Sequence, residues 1–171
     1  MHLGAGRVYL GFLADNAPPV DFSQPELMLR APSGLFTLTP LNGLIVGPRL
    51  GQSAEALTWL EKALDSDCTL VIDADALNLI TQHSALTNTL CQRNAGTILT
   101  LHPAEAARLL NTGTASAQQN RMNAALQIAQ QFNCHVVLKN AGSICCFPDG
   151  TRYLNTSGNP ALSTAPGPAM F

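Results

Sequence analysis

Short apolar runs alternate with segments of helical period along most of the chain, and this alternation limits the fold more than any other feature of the sequence. Residues 7–13, 44–46, 69–72, 97–101 and 136–138 each read as a strand. The runs are apolar at consecutive positions, not only on one side, which is the pattern of a parallel sheet covered on both faces. Between them, residues 53–64 place Ala56, Leu57, Leu60, Ala63 and Leu64 at helical spacing, with Ser53 as N-cap. Residues 69–72 lead into residues 73–78, and a short helix is expected to follow, to about His83. Residues 106–110 form another, whose first turn accepts Pro103 because a missing N–H costs nothing there. Residues 115–132 read as one long helix. Residues 144–147 and 152–154 form a hairpin turning at Asp149-Gly150. Residues 16–40 hold Pro18, Pro19, Pro25, Pro32 and Pro40 and show the least pattern.

A chain of 171 residues has room for one ordinary domain. Apolar residues make up 46% and charged residues 12%, against about 25% charge in typical domains. That balance excludes disorder, which needs low hydrophobicity and high net charge. No apolar run approaches the ~18 residues of a membrane span. Net charge is -2, and Lys62 and Lys139 are the only lysines. With no basic cluster, neither nucleic acid nor an anionic membrane is an expected partner. The first residues lack the charged-then-apolar pattern of a leader. Five cysteines, an odd number without a C-x-x-C pair, read as buried free thiols, so a cytoplasmic location is expected.

Ligands of open α/β sheets bind beyond the carboxyl ends of the strands. Polar clusters fall at four such ends: residues 47–51, 73–78, 102–105 and 139–143. Each also has a structural reading. Gly47 and Gly51 can serve only to make a turn, Asp73 and Asp75 only to cap a helix, and His102 only to bond its own helix. Lys139 can be a strand-end lysine reaching for solvent. It also opens a small glycine-containing loop, and such a loop beside an ammonium suits phosphate.

Residues 46–51 (VGPRLG), 71–78 (VIDADALN), 100–105 (TLHPAE), 136–143 (VVLKNAGS) and 156–160 (TSGNP) follow one another along the chain. Together they resemble the ADP-dependent NAD(P)H-hydrate dehydratase domain, with the resemblance running from Leu3 to Thr164. It implies a ribokinase-like α/β fold of three layers with a mainly parallel central sheet. The implied reaction removes water from the hydrated nicotinamide ring of NADHX or NADPHX. ADP is consumed to AMP and phosphate, its phosphoryl group making the hydroxyl a leaving group, and Mg2+ is compatible with this chemistry. By position, Gly51 and His102 would contact the hydrate, with Asp75 and Asn78 close by. Lys139, Asn140, Ala141, Gly142 and Ser143 would hold the adenine nucleotide, and Asn159 would line the junction with the substrate. The resemblance further implies a homo-oligomer, and fusion to an epimerase domain in a longer protein.

The family pattern continues with Gly-Asp opening a helix, whose N-terminus binds anions and whose aspartate is the expected base. Aligned without gaps, Pro168 and Ala169 hold those two positions here, so no catalytic residue is assigned. The codons of Pro168-Ala169-Met170-Phe171, read two nucleotides later, can spell Gly-Asp-Val. A frameshift near Ala165, in the gene or its sequencing, is therefore expected. Residues 1–171 are accordingly expected to be a single partial domain, incomplete at both termini, with an aberrant tail at 165–171 and weak or no activity. Ala104 and Asn140 stand where the family has glycine, as does Arg49 in the middle of its turn. The alternatives are a catalytically silent nucleotide-binding fragment and a ribokinase-like small-molecule kinase. Asp75 to Asn78 with His102-Pro103 favour the dehydratase over the kinase.

Overall fold

The structure is a computed structural model that describes residues 4–14, 19–38, 40–140 and 142–157. Four strands, β3 (Gly43–Val46), β4 (Thr69–Asp73), β5 (Thr97–Leu101) and β6 (His135–Leu138), lie side by side in chain order and run parallel. The hairpin β7 (Ser143–Cys146) and β8 (Arg152–Asn155) extends this sheet antiparallel. The backbone N–H of Gly150 donates to the Phe147 carbonyl, and Gly150 takes φ 93°, so the turn falls at Asp149-Gly150 as the sequence predicts. A separate pair, β1 (Tyr9–Gly11) and β2 (Met28–Arg30), is parallel and adjoins α1 (Pro32–Leu35). β2 and α1 thus lie in the stretch expected to have the least order. Both are too short for periodicity to reveal, and Pro32 fits where it stands at the first helical turn.

The main sheet is crossed by α2 (Ala54–Leu64), then α3 (Ala74–Gln82) and α4 (Ser84–Gln92), then α5 (Pro103–Leu109), α6 (Thr114–Gln119) and α7 (Arg121–Gln131). Adjacent parallel strands joined by right-handed crossovers place successive helices on the same side. The contacts agree: α2 packs on α4, α3 on α4 and α5, and α5 on α7. One core results, in which Leu70, Ile72, Leu99, Leu101, Val136 and Leu138 of the strands meet Leu60, Ile80 and Ile128 of the helices. Because side chains alternate along a strand, Ile45, Val71, Ile98, Val137 and Cys145 belong to the other face. They are only partly covered, and Ile45 is 69% exposed. The apolar character of both faces is as expected, but among the described residues the helical layer covers one of them.

Two helical expectations are corrected. Residues 115–132 do not form one helix: Asn120 leaves helical geometry (φ -133°, ψ 59°), and its side chain accepts the Asn123 N–H to cap α7. Asparagine competes for backbone groups in this way and favours caps over helix interiors. α4 went unseen because it buries only Leu86 and Leu90, too few apolar positions to set a period. The cysteines are free, as expected, but only Cys134 and Cys146 are buried. Burial pushes the Cys134 thiol up to about 12, which keeps it neutral. No described helix is long and apolar enough to cross a membrane.

At the amino ends of the strands, Arg93 closes the fold. Its guanidinium donates to the carbonyls of Ala63, Leu64, Ser66 and Cys68 and to Thr97 Oγ1, gathering the end of α2 and the start of β4 and β5. Partial burial lowers its pKa. Hydrogen bonds to charged groups contribute about 1.5–3 kcal/mol each and add less than linearly when shared. Arg93→Met is therefore expected to cost about 3 kcal/mol in urea unfolding, with an unchanged m-value.

Candidate functional site

The opposite, carboxyl edge of the sheet carries the polar clusters. Asp73 ends β4 and caps α3: its Oδ1 accepts the Ala74 N–H at 2.9 Å. The same oxygen accepts from Lys139 Nζ at 2.7 Å, an ion pair between residues that β5 separates in the sheet. Strand parity explains the meeting. Asp73 lies level with Thr100 and Val137 on the face away from the helices, and Lys139, two residues beyond Val137, shares that parity. The backbone of Lys139 is fixed by its N–H donating to the Leu101 carbonyl at 2.7 Å.

The β3–α2 loop is held against this turn. Gly47 is buried at φ 125°, and a Cβ there would lie 1.7 Å from the Asp73 carbonyl oxygen. Its own carbonyl accepts from the N–H groups of Leu50 and Asp75. Asp75 Oδ2 in turn accepts the Gly51 N–H at 2.9 Å, and Gln52 Nε2 donates to the Asp75 carbonyl at 3.2 Å. Asp75 thus staples the loop that carries Gly51, and Ser53 caps α2 as expected by accepting the Ala56 N–H. The geometry is bought with left-handed backbone at non-glycine residues: Arg49 (φ 54°) and Ala74 (φ 48°). Such residues cost of order 1 kcal/mol and cluster at functional turns. Arg49 takes this conformation where the family pattern has glycine, whereas Asn140 is not among the left-handed residues.

His102 caps α5 at the end of β5; its backbone N–H donates to Glu105 Oε2 at 2.7 Å, and the residue is exposed. Asn78 is half-buried one turn into α3. Among the described residues, neither bonds another candidate. Gly142 takes φ 71°, and its carbonyl accepts from Arg121 Nη2 at 2.8 Å. Ser143 opens β7 opposite Asn155. Ala141, Asn159 and residues 165–171, with Ala169, lie outside the described residues. Two features escaped the sequence: the Asp73–Lys139 pair and the Arg121 anchor of the 139–143 loop. A strand-end aspartate facing a scarce lysine was a signal for the first. Arg121 stands 21 positions before Gly142 and gave none.

A mainly parallel sheet whose carboxyl edge carries a lysine, a glycine-containing loop and stapled backbone turns defines an open α/β protein. The chain belongs to the NAD(P)H-hydrate dehydratase family, whose sequence model matches residues 1–167. It is 40% identical over 168 residues to the ADP-dependent (S)-NAD(P)H-hydrate dehydratase of Neisseria meningitidis, covering 96% of this chain and 56% of that protein. It is 31% identical to the bifunctional NAD(P)H-hydrate repair enzyme of Coxiella burnetii, covering 95% of this chain and 33% of that one. The chain therefore spans about half or less of the length of these relatives. The ADP/ATP-dependent NAD(P)H-hydrate dehydratase of Bacillus subtilis, co-crystallized with ATP and Mg2+, superposes with a TM-score of 0.66 at 26% identity, over 82% of this chain and 50% of its own. A ribokinase-like superfamily protein of Enterococcus faecalis has a TM-score of 0.76 at 24% identity, over 94% and 56%. The ribokinase-like fold agrees with the expectation.

Gly47→Ala tests the closure of this edge. The added methyl meets the Asp73 carbonyl and disfavours φ 125°, so the loss is expected to reach about 3 kcal/mol or more in thermal unfolding. A loss below about 0.5 kcal/mol, the scale of neutral surface changes, would mean the two loops are not in contact.

Proposed function

We propose that this chain carries the site for ADP-dependent dehydration of NAD(P)H hydrate, the repair of NADHX or NADPHX to NADH or NADPH. The observation that carries the reading is the placement of Lys139 at the carboxyl edge of the sheet, beside the turns that present Gly51 and Asp75. Family membership and the names of the relatives support it. Phosphoryl transfer needs positioning and charge neutralisation more than covalent chemistry from the protein. Lys139 neutralises phosphate, and the small residues Asn140 to Ser143 let the nucleotide approach the backbone. Arg121 fixes that loop through Gly142. On the other side, Asp75 rigidifies the Gly51 turn against which the hydrate rests, with His102 and Asn78 flanking it and Asn159 at the junction.

The phosphoryl group passes from ADP to the ring hydroxyl. The hydroxyl gives up its proton as AMP leaves; phosphate then departs with the oxygen, and the adjacent ring carbon loses a proton to solvent as the ring double bond forms. Among the described residues no group of three or more His, Cys, Asp or Glu converges as a metal cage. Mg2+ is read as arriving on the nucleotide, because it usually takes few protein ligands beside phosphate oxygens and water. The reaction regenerates a soluble cofactor, consistent with the cytoplasm. We assign the whole protein as a homo-oligomer, and its epimerase partner activity to a separate domain.

Ala169 stands at the position of the family's aspartate. General acid–base groups contribute about 10²–10⁴-fold, so turnover should fall by that order while ADP binding persists. The silent nucleotide-binding reading shares the binding step, and an assay with NADH hydrate and ADP separates the two by recovery of NADH absorbance. Lys139→Met is expected to weaken ADP at least tenfold by calorimetry. Unchanged ADP affinity in this variant, or no ADP binding by the parent chain, would contradict the proposal.

A further inference from the structure

Asp73 has a task in the fold that requires no charge. It caps α3 by accepting the Ala74 N–H, and asparagine performs that task as well as aspartate. Its charge is matched to a different group, the Lys139 ammonium at 2.7 Å, and the lysine comes from 66 residues away, just past the end of a strand that is not its neighbour. Neither partner is free to drift. The Asp73 backbone is pinned between the close approach of Gly47 and the left-handed turn at Ala74, and the Lys139 backbone is bonded to Leu101. Yet the Lys139 side chain is 33% exposed and that of Asp73 26%, so an anion from solvent can reach the ammonium.

We propose that Asp73 is the internal counter-ion of Lys139, occupying the ammonium in the nucleotide-free chain and competing with the phosphate of ADP for it. This rests on the reading of Lys139 as a phosphate ligand. A carboxylate beside a phosphate site lowers affinity for the anion in two ways: it holds the cation and it repels the incoming charge. Asp73 is thus a positioning residue that keeps the lysine at the strand ends, at the expense of nucleotide affinity, and that displaces AMP and phosphate once the reaction is over. Its position also joins the two halves of the site, because the carboxylate that meets Lys139 belongs to the turn carrying Asp75.

The test uses the full chain with Asp73→Asn, Lys139→Met and the double variant, each checked for folding by thermal melting. ADP affinity is read by calorimetry. Asp73→Asn is expected to bind ADP about tenfold more tightly than the parent, and to give a smaller gain in the Lys139→Met background, where repulsion alone is relieved. A general loosening of the fold would weaken ADP, not tighten it. ADP binding that needs Lys139 but is unchanged or weakened by Asp73→Asn overturns the inference and leaves the nucleotide site standing.

A second arm needs no nucleotide. Acetylation by an N-hydroxysuccinimide ester, followed by peptide mass spectrometry, reports each lysine, and Lys62 serves as the internal reference. Lys139 is expected to react several-fold faster relative to Lys62 in Asp73→Asn than in the parent. Equal ratios overturn the ion pair. A difference in labelling without ADP binding in any variant overturns the nucleotide reading and the competition with it.

Discussion

Four parallel strands laid side by side in chain order impose most of what this molecule is. Once β3 to β6 pair in register, every carboxyl end falls on one edge, and every right-handed crossover sends its helix to the same side. The core and the site are then two consequences of one arrangement. Alternate residues, such as Leu70, Leu99 and Val136, go to the helices. The intervening ones, among them Asp73, go to the other face, and with them the edge where Lys139 stands. Residues 66 positions apart in sequence become ion-pair partners because parity and register leave them little choice.

This explains what could be read in advance. Strand positions, the hairpin at Asp149-Gly150 and the helix capped by Ser53 are local matters of period and turn chemistry, and they agree with the structure. The strand-end location of Gly51, Asp75, His102 and Lys139 followed from the same reading, because each belongs to a polar cluster that begins directly after an apolar run. What could not be read is pairing across the sheet. Asp73 looked like a cap, which it is, but its bond to Lys139 depends on β5 lying between them. Arg121 looked like one more residue of a long helix. Only the break at Asn120 turns it into the first residue of α7, where it reaches Gly142. α4 was hidden because two buried leucines do not make a period.

The edge is costly to build. Gly47 must pass within contact of a carbonyl, and Arg49 and Ala74 hold backbone conformations that most residues avoid. Residues in such conformations persist where the surroundings over-determine them. Here the Asp75 staple and the Asp73 cap do so, and the same two carboxylates organise the proposed substrate and nucleotide sides. The opposite edge, gathered by Arg93 through backbone carbonyls, also holds a left-handed residue before β6, but it is Asn133 (φ 49°), a type that tolerates this conformation. One end of the sheet is built for closure, and the other carries the proposed contacts with ligand.

Hydrogen exchange read by mass spectrometry, with and without saturating ADP, tests this division most directly. The account predicts that ADP slows exchange in the peptides containing residues 47–53, 73–78 and 139–143, and leaves the amino-end peptides around Ser66 and Arg93 unchanged. Protection centred on Ser66 and Arg93, or none at the carboxyl edge under conditions where ADP is bound, would contradict it.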